Sequence, residues 1–170
     1  MKLTEFLQKQ LDREAPISER VLARVPEGKG EWKPHEKSMG LGYLSYLVAA
    51  MPSWIDMAIN KDELDLNPPG GGSQYKPNNA MTRAELKAFH ADSVAKAKAA
   101  LQGTTDDFLM TPWRLLVAGK VVQESPRHAV VADTFTHLAH HRGQLTVYLR
   151  LNGEPVPSVY GPTADDNSFG

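Results

Sequence analysis

The chain has 170 residues, 41% hydrophobic and 23% charged, with a formal net charge of −1 and no cysteine. These totals predict a single globular domain, residues 1–170, able to bury a core without staples. They exclude disulfides, thiolate metal sites and a cysteine nucleophile, and they offer nucleic acid or an anionic membrane no broad electrostatic attraction. The opening "MKLTEFLQKQLDRE" is charged throughout and has no apolar signal region. No apolar run approaches the roughly 20 residues that span a bilayer. The expectation is a cytoplasmic protein with neither membrane nor nucleic acid as partner.

Leu3, Phe6, Leu7, Leu11, Ile17, Val21, Leu22 and Val25 form a helical stripe broken near Pro16. One kinked helix, or two in line with Ser18 capping the second, satisfies it. "PEGKGEWKP" ends the segment. From Met39 to Ile59 the chain is almost wholly apolar, which predicts a central helix kinked at Pro52. "NPPGGGSQYKPNN" reads as an irregular loop, one that either covers a site or is simply mobile.

Thr82 and Glu85 have capping-box spacing, with Met81 and Leu86 as a hydrophobic staple, so a third helix begins there and runs to Gly103. In "TPWRLLVAGKVVQESP", β-branched and apolar residues flank Ala118-Gly119-Lys120, which predicts a short hairpin or an extended excursion. Ser125-Pro126 reads as a cap and first turn of a last helix ending near Leu151, where Gly153 and Pro155 stop it. The fold class predicted is all-α, a four-helix bundle interrupted once between its third and fourth helices.

The last helix carries the chemistry. Between Pro126 and Leu151 there is no lysine and no glutamate, which predicts burial in the bundle or partly against a second subunit. Val131, Phe135, Leu138, Leu145 and Leu149 fall on one stripe; Asp133, His137, His141, Gln144 and Tyr148 fall on another. His137 and His141, four apart, can aim imidazole nitrogens at one point and hold a metal, or they can sit in a hydrogen-bonded network. Asp133 could orient His137 or pair with an arginine. His140 could replace His141 in the pair. His90 lies beside the third helix's apolar stripe and reads as a core histidine, and His35 as a group fixing the turn after "WKP".

Two stretches, "WKPHEKSMGLGYL" and "THLAHHRGQLTVYLRLNGEPVPSVYGPTADD", carry a resemblance to the DinB-like superfamily, also called DinB/YfiT-like metalloenzymes. With helix order, it covers nearly the whole chain. The resemblance implies a four-helix bundle, commonly a homodimer, with nickel or zinc on three histidines, one from the second helix and two from the fourth. His137 and His141 match the fourth-helix pair. Tyr46 stands where the family pattern places the first histidine, so the implied metal residues are His137, His141 and Tyr46, a degenerate set. A phenol is a poorer ligand for these ions than imidazole. Tyr46 could instead hydrogen-bond the pair, or water, Asp56 or His90 could complete a shell. The implied activity is a metal-dependent, thiol S-transferase-like reaction on a small molecule. The other reading is a non-catalytic domain whose His/Tyr cluster is a polar network. Arg142, Arg150 and Tyr160, in the motif and its tail, are expected to hold the tail on the bundle.

Overall fold

Pro16 does not break the first helix. In the computed structural model, which describes residues 1–71 and 77–168, α1 runs unbroken over Leu3–Leu22 with Pro16 inside it. The missing N–H costs one helical bond, and packing on both sides of it holds the rod together. Ser18 therefore caps nothing; it is buried mid-helix. Pro52 does divide the second rod, taking the first turn of α3 (Pro52–Asn60) directly after α2 (Leu41–Ala50). Thr82 caps α4 (Arg83–Gly103) through the predicted box, accepting from the Glu85 amide. A short α5 (Asp106–Leu109) follows, and α6 spans Arg127–Leu151. The Asp106 carboxylate accepts from the amides of Leu3 and Thr4 at 2.8 and 2.9 Å, closing the start of α1 from across the chain.

The all-α expectation is corrected here. The excursion is a hairpin, β2 (Pro112–Val117) and β3 (Lys120–Pro126), and β1 (Glu63–Asp65) pairs parallel with β2 to make a three-stranded sheet. Ala118 and Gly119 turn the hairpin at φ +52° and +76°, the left-handed pair that suits right-twisted strands. The Asp65 carboxylate accepts from both turn amides, at 3.1 and 2.7 Å. Ser125 belongs to β3 rather than to a cap, and α6 starts one residue after Pro126. Residues 72–76, the middle of the predicted long loop, lie outside the described residues.

Four rods, α1, α2 with α3, α4 and α6, enclose two apolar clusters. Val21, Leu22, Leu44, Leu138, Leu145 and Leu149 anchor one; Leu7, Leu11, Ile55, Leu101, Val131 and Phe135 anchor the other. Along α1, Glu14 and Ser18 fall between the clusters, and both are buried. Arg142, fully buried on α6, reaches them: Nη2 donates to Glu14 Oε2 at 2.5 Å, and Nη1 to Ser18 Oγ at 3.0 Å and the Glu14 carbonyl at 3.2 Å. Tyr160, from the tail, accepts from Arg142 and donates to Glu14 Oε2 at 2.9 Å. The tail is further fixed by Asp165, which pairs with Arg150 and accepts from the Val156 amide. Asp166 accepts from the amides of Ser158 and Ser168, which pull its carboxyl down to about 2. Both arginines thus hold the tail, as expected, and neither pairs with Asp133. A third arginine, Arg127, is buried at the other end. It donates to the carbonyls of Ala58 and Lys61 and to Asp62, closing the C-terminus of α3.

Despite its lack of charge, α6 is not buried all round. Val131, Phe135, Leu138, Leu145 and Leu149 face the core, while Asp133, Thr136, His140, Gly143 and Val147 are exposed. Gly143 sits mid-helix, where glycine costs about 1 kcal/mol against alanine. A methyl built on it meets nothing within 4 Å.

Removing the Glu14 charge leaves a guanidinium buried without its counter-ion, so Glu14→Gln should cost about 3–5 kcal/mol in urea unfolding. Tyr160→Phe, which deletes hydrogen bonds but no charge, should cost about 1–2 kcal/mol. Equal losses would remove the charge argument.

His90 supplies a pH signature. It is buried on α4; Nε2 donates to the Ala15 carbonyl at 3.0 Å and Nδ1 has no partner among the described residues. Burial pushes its pKa below the usual imidazole value, partly offset by the Ala15 carbonyl. The unfolded chain therefore binds the extra proton first. Stability contributed by neutral His90 is present above an unfolded value of about 6.5 and declines as pH falls toward the folded one. Urea midpoints from pH 8 to 5 should fall more steeply for the parent than for His90→Gln, by up to about 1.4 kcal/mol per pH unit. Parallel curves would contradict this.

Candidate metal centre

Four residues along a helix is just over one turn, so His137 and His141 stack on one side of α6. Their Nε2 atoms stand 2.8 Å apart. His141 is buried and its Nδ1 donates to Gln144 Oε1 at 2.8 Å. That bond fixes the neutral tautomer whose lone pair is on Nε2, the atom facing His137. His137 is exposed, with its ring edge-on to Trp54 of α3 at 5.5 Å. The pair therefore sits at the solvent edge of α6, not in an interior cleft.

Both imidazoles are more easily left neutral than usual. Burial lowers the pKa of His137 and, secondarily, so does neighbouring His140. For His141 burial is again the largest cause, opposed by the Gln144 hydrogen bond and reinforced by His137 and His140. Neutral imidazole is the form that ligates a metal. His140 is exposed and meets His141 edge-on at 5.0 Å, which leaves His141, not His140, as the partner of His137.

Tyr46 lies on α2, half-buried, its ring stacked on Phe89 of α4 at 5.2 Å. Burial raises its pKa, with a smaller contribution from Tyr43. The phenol thus keeps its proton at neutral pH. Asp133 is exposed and takes no part in any ion pair or hydrogen bond with His137 among the described residues. Gln144 does the orienting instead. Asp56 accepts from Asn60, and His90 is occupied with Ala15. His35 fixes its turn, its Nδ1 accepting from the Lys37 amide at 3.2 Å. Trp54 against His137 has no signature in the sequence, because only the α2–α3 kink brings it there.

Among the described residues, no group of three His, Cys, Asp or Glu side chains is placed to hold a metal ion. The donor set is two imidazoles with converging nitrogens. Their softness fits nickel or zinc, but a closed site takes three or four protein ligands. The residues fit an open, weak site.

Comparison with known proteins follows the fold. The family model described as DinB matches residues 43–168. The chain is 39% identical over 44 residues to the uncharacterized protein YrdA of Bacillus subtilis strain 168, a match spanning 26% of each chain. The crystal structure of a DinB-like protein from Bacillus cereus ATCC 10987 superposes with a TM-score of 0.68 at 20% identity, covering 92% of this chain and 97% of that one. The DinB-like YjoA from Bacillus subtilis gives 0.63 at 15% identity, covering 88% and 92%. At those identities the likeness is one of fold. The family model takes in α6, its histidine pair and most of the bundle, and on that match the chain belongs to the DinB family.

Proposed function

We propose that the chain is a DinB-family enzyme with a reduced metal site, in which His137 and His141 would hold a divalent ion, nickel or zinc. The reaction class proposed is transfer of a small thiol to an electrophile. The observation that supports this is His141 itself, tied at Nδ1 by Gln144 so that its Nε2 lone pair converges with Nε2 of His137 at 2.8 Å. A divalent ion in such a site supplies Lewis acidity, favouring the thiolate form of a thiol substrate. Gln144 would hold the His141 tautomer, and Trp54 would keep the His137 ring in place. Tyr46, protonated, would serve as a weak ligand or as proton donor to the product. The site's exposure gives a small substrate direct access.

One observation favours a second reading. At 2.8 Å the two Nε2 atoms also suit a hydrogen bond between the rings. With Gln144 that makes a satisfied polar network, as a non-catalytic domain binding a small ligand or none would carry.

Titration of tag-free protein with Ni²⁺ and Zn²⁺ separates the two. The metal reading expects one weak site, lost in His137→Ala and in His141→Ala. Tyr46→His should tighten it at least about tenfold, equivalent to about 1.4 kcal/mol, by adding a third imidazole. Absence of binding in the parent, with Tyr46→His equally inert, would leave the network reading. In that case His141→Ala should cost about 1 kcal/mol in stability for its lost hydrogen bonds.

A further inference from the structure

Away from the histidine pair, a cavity of about 450 Å³ opens between the turn after α1, the start of α2 and the approach to α4. Tyr46, Trp54, His137 and His141 are not among the residues that line it. Its floor is apolar and continuous with the core: Val25, Leu41 and Leu86 are buried, and Trp32 and Met81 pack against the same cluster. Trp32 is held edge-on to Tyr148 at 5.5 Å. The frame is bare backbone. The Gly30 carbonyl accepts from the Gly42 amide at 2.9 Å, and the Trp32 carbonyl from the Leu41 amide at 2.8 Å. A methyl group built on Gly30 or Gly42 would lie 2.3 or 1.9 Å from the Asn79 carbonyl oxygen. Three backbone segments therefore close on one another only because two glycines let them. Such a frame is formed before a ligand arrives, and its volume is that of a small-molecule site.

We propose that this cavity binds a free α-amino acid with an apolar side chain. Lys29 and Glu31 line it and are exposed, so both charges stand at its mouth. They carry opposite charge two residues apart, yet neither forms an ion pair with the other or with any described residue. Elsewhere the surface closes such pairs, as Lys87 does on Glu19 at 3.3 Å and Lys96 on Asp92 at 2.6 Å. A zwitterion gives each charge at the mouth a partner: its carboxylate meets the Lys29 ammonium, and its ammonium meets the Glu31 carboxylate. The side chain on the same carbon then lies on the floor of Val25, Leu41 and Leu86, where apolar burial favours it. A ligand of one charge leaves the other charge unmatched. A polar side chain gives up water on that floor and finds no partner. The class follows from the combination: a positive group, a negative group and an apolar body on one small frame. This site stands independently of any metal at His137 and His141.

Titration of the isotope-labelled full chain with L-phenylalanine to about 10 mM, followed by backbone amide shifts in NMR, tests it. Saturable shifts should centre on the amides of Gly28, Gly30, Trp32, Gly42 and Met81, which line the cavity. Phenethylamine and phenylpropanoate, which keep the ring and one charge each, should bind at least about tenfold more weakly. Lys29→Met and Glu31→Gln should each weaken L-phenylalanine binding by about the same factor. Both residues are exposed, so the melting temperatures of the two variants should match the parent's. No saturable shift up to the highest concentration would overturn the proposal. So would shifts centred on Trp54 and His137, equal affinity for the one-charge analogues, or full affinity in both variants.

Discussion

Arg142 has no exposed surface, and the chain can keep a guanidinium there only because three segments converge on it. Glu14 and Ser18 come from α1, and Tyr160 comes from the tail. Desolvating such a pair costs several kcal/mol for each ion, and the mutual attraction offsets this only with good geometry and further hydrogen bonds. The network therefore contributes less to total stability than to choice of arrangement. Slip α6 by one turn against α1, and a bare cation faces the apolar cluster instead. The pair fixes register, and register decides which face of α6 looks outward.

That choice explains how one helix with little charge serves three environments. The stripe through Val131, Leu138 and Leu145 is core. The stripe through His137 and His141 meets α3 at Trp54. The remainder, from Asp133 to Arg150, meets solvent. Charge content alone cannot distinguish burial in a bundle from a bare surface awaiting a neighbour, because both remove the need for lysine and glutamate.

How much was legible in the sequence follows from the range of each interaction. Thr82 and Glu85 announced the start of α4 because a capping box is contained in four residues. Gly119 announced the hairpin for the same reason. His137 and His141 were legible as a pair because helix geometry puts positions four apart side by side. Glu63–Asp65 was invisible as a strand: three residues, two of them acidic, become β1 only because β2 offers an edge fifty residues away. Ser125-Pro126 has the local form of a helix start, yet the ladder to Trp113 and Pro112 claims both residues for β3. Pro16 misled in the same manner, since packing of α1 outweighs one missing bond. Gln144 stood in the polar stripe, but its task of orienting His141 follows only from the rotamers both adopt.

The same partition separates what holds the bundle from what surrounds the histidine pair. The histidine pair lies at the edge of the bundle, and His137 is exposed, so little of the core's packing rests on it. The interactions that set the bundle are elsewhere: Arg142 with Glu14, Arg127 on the end of α3, Asp106 on the start of α1. The phenol of Tyr46 stacks on Phe89 of α4. Glu14, by contrast with the edge histidines, cannot lose its charge without leaving Arg142 buried and unpaired. Fold and site are held by separate sets of contacts on the same helix. That separation is the physical reason membership of the DinB family fixes the architecture while leaving the chemistry of the helix edge to the side chains around His137 and His141.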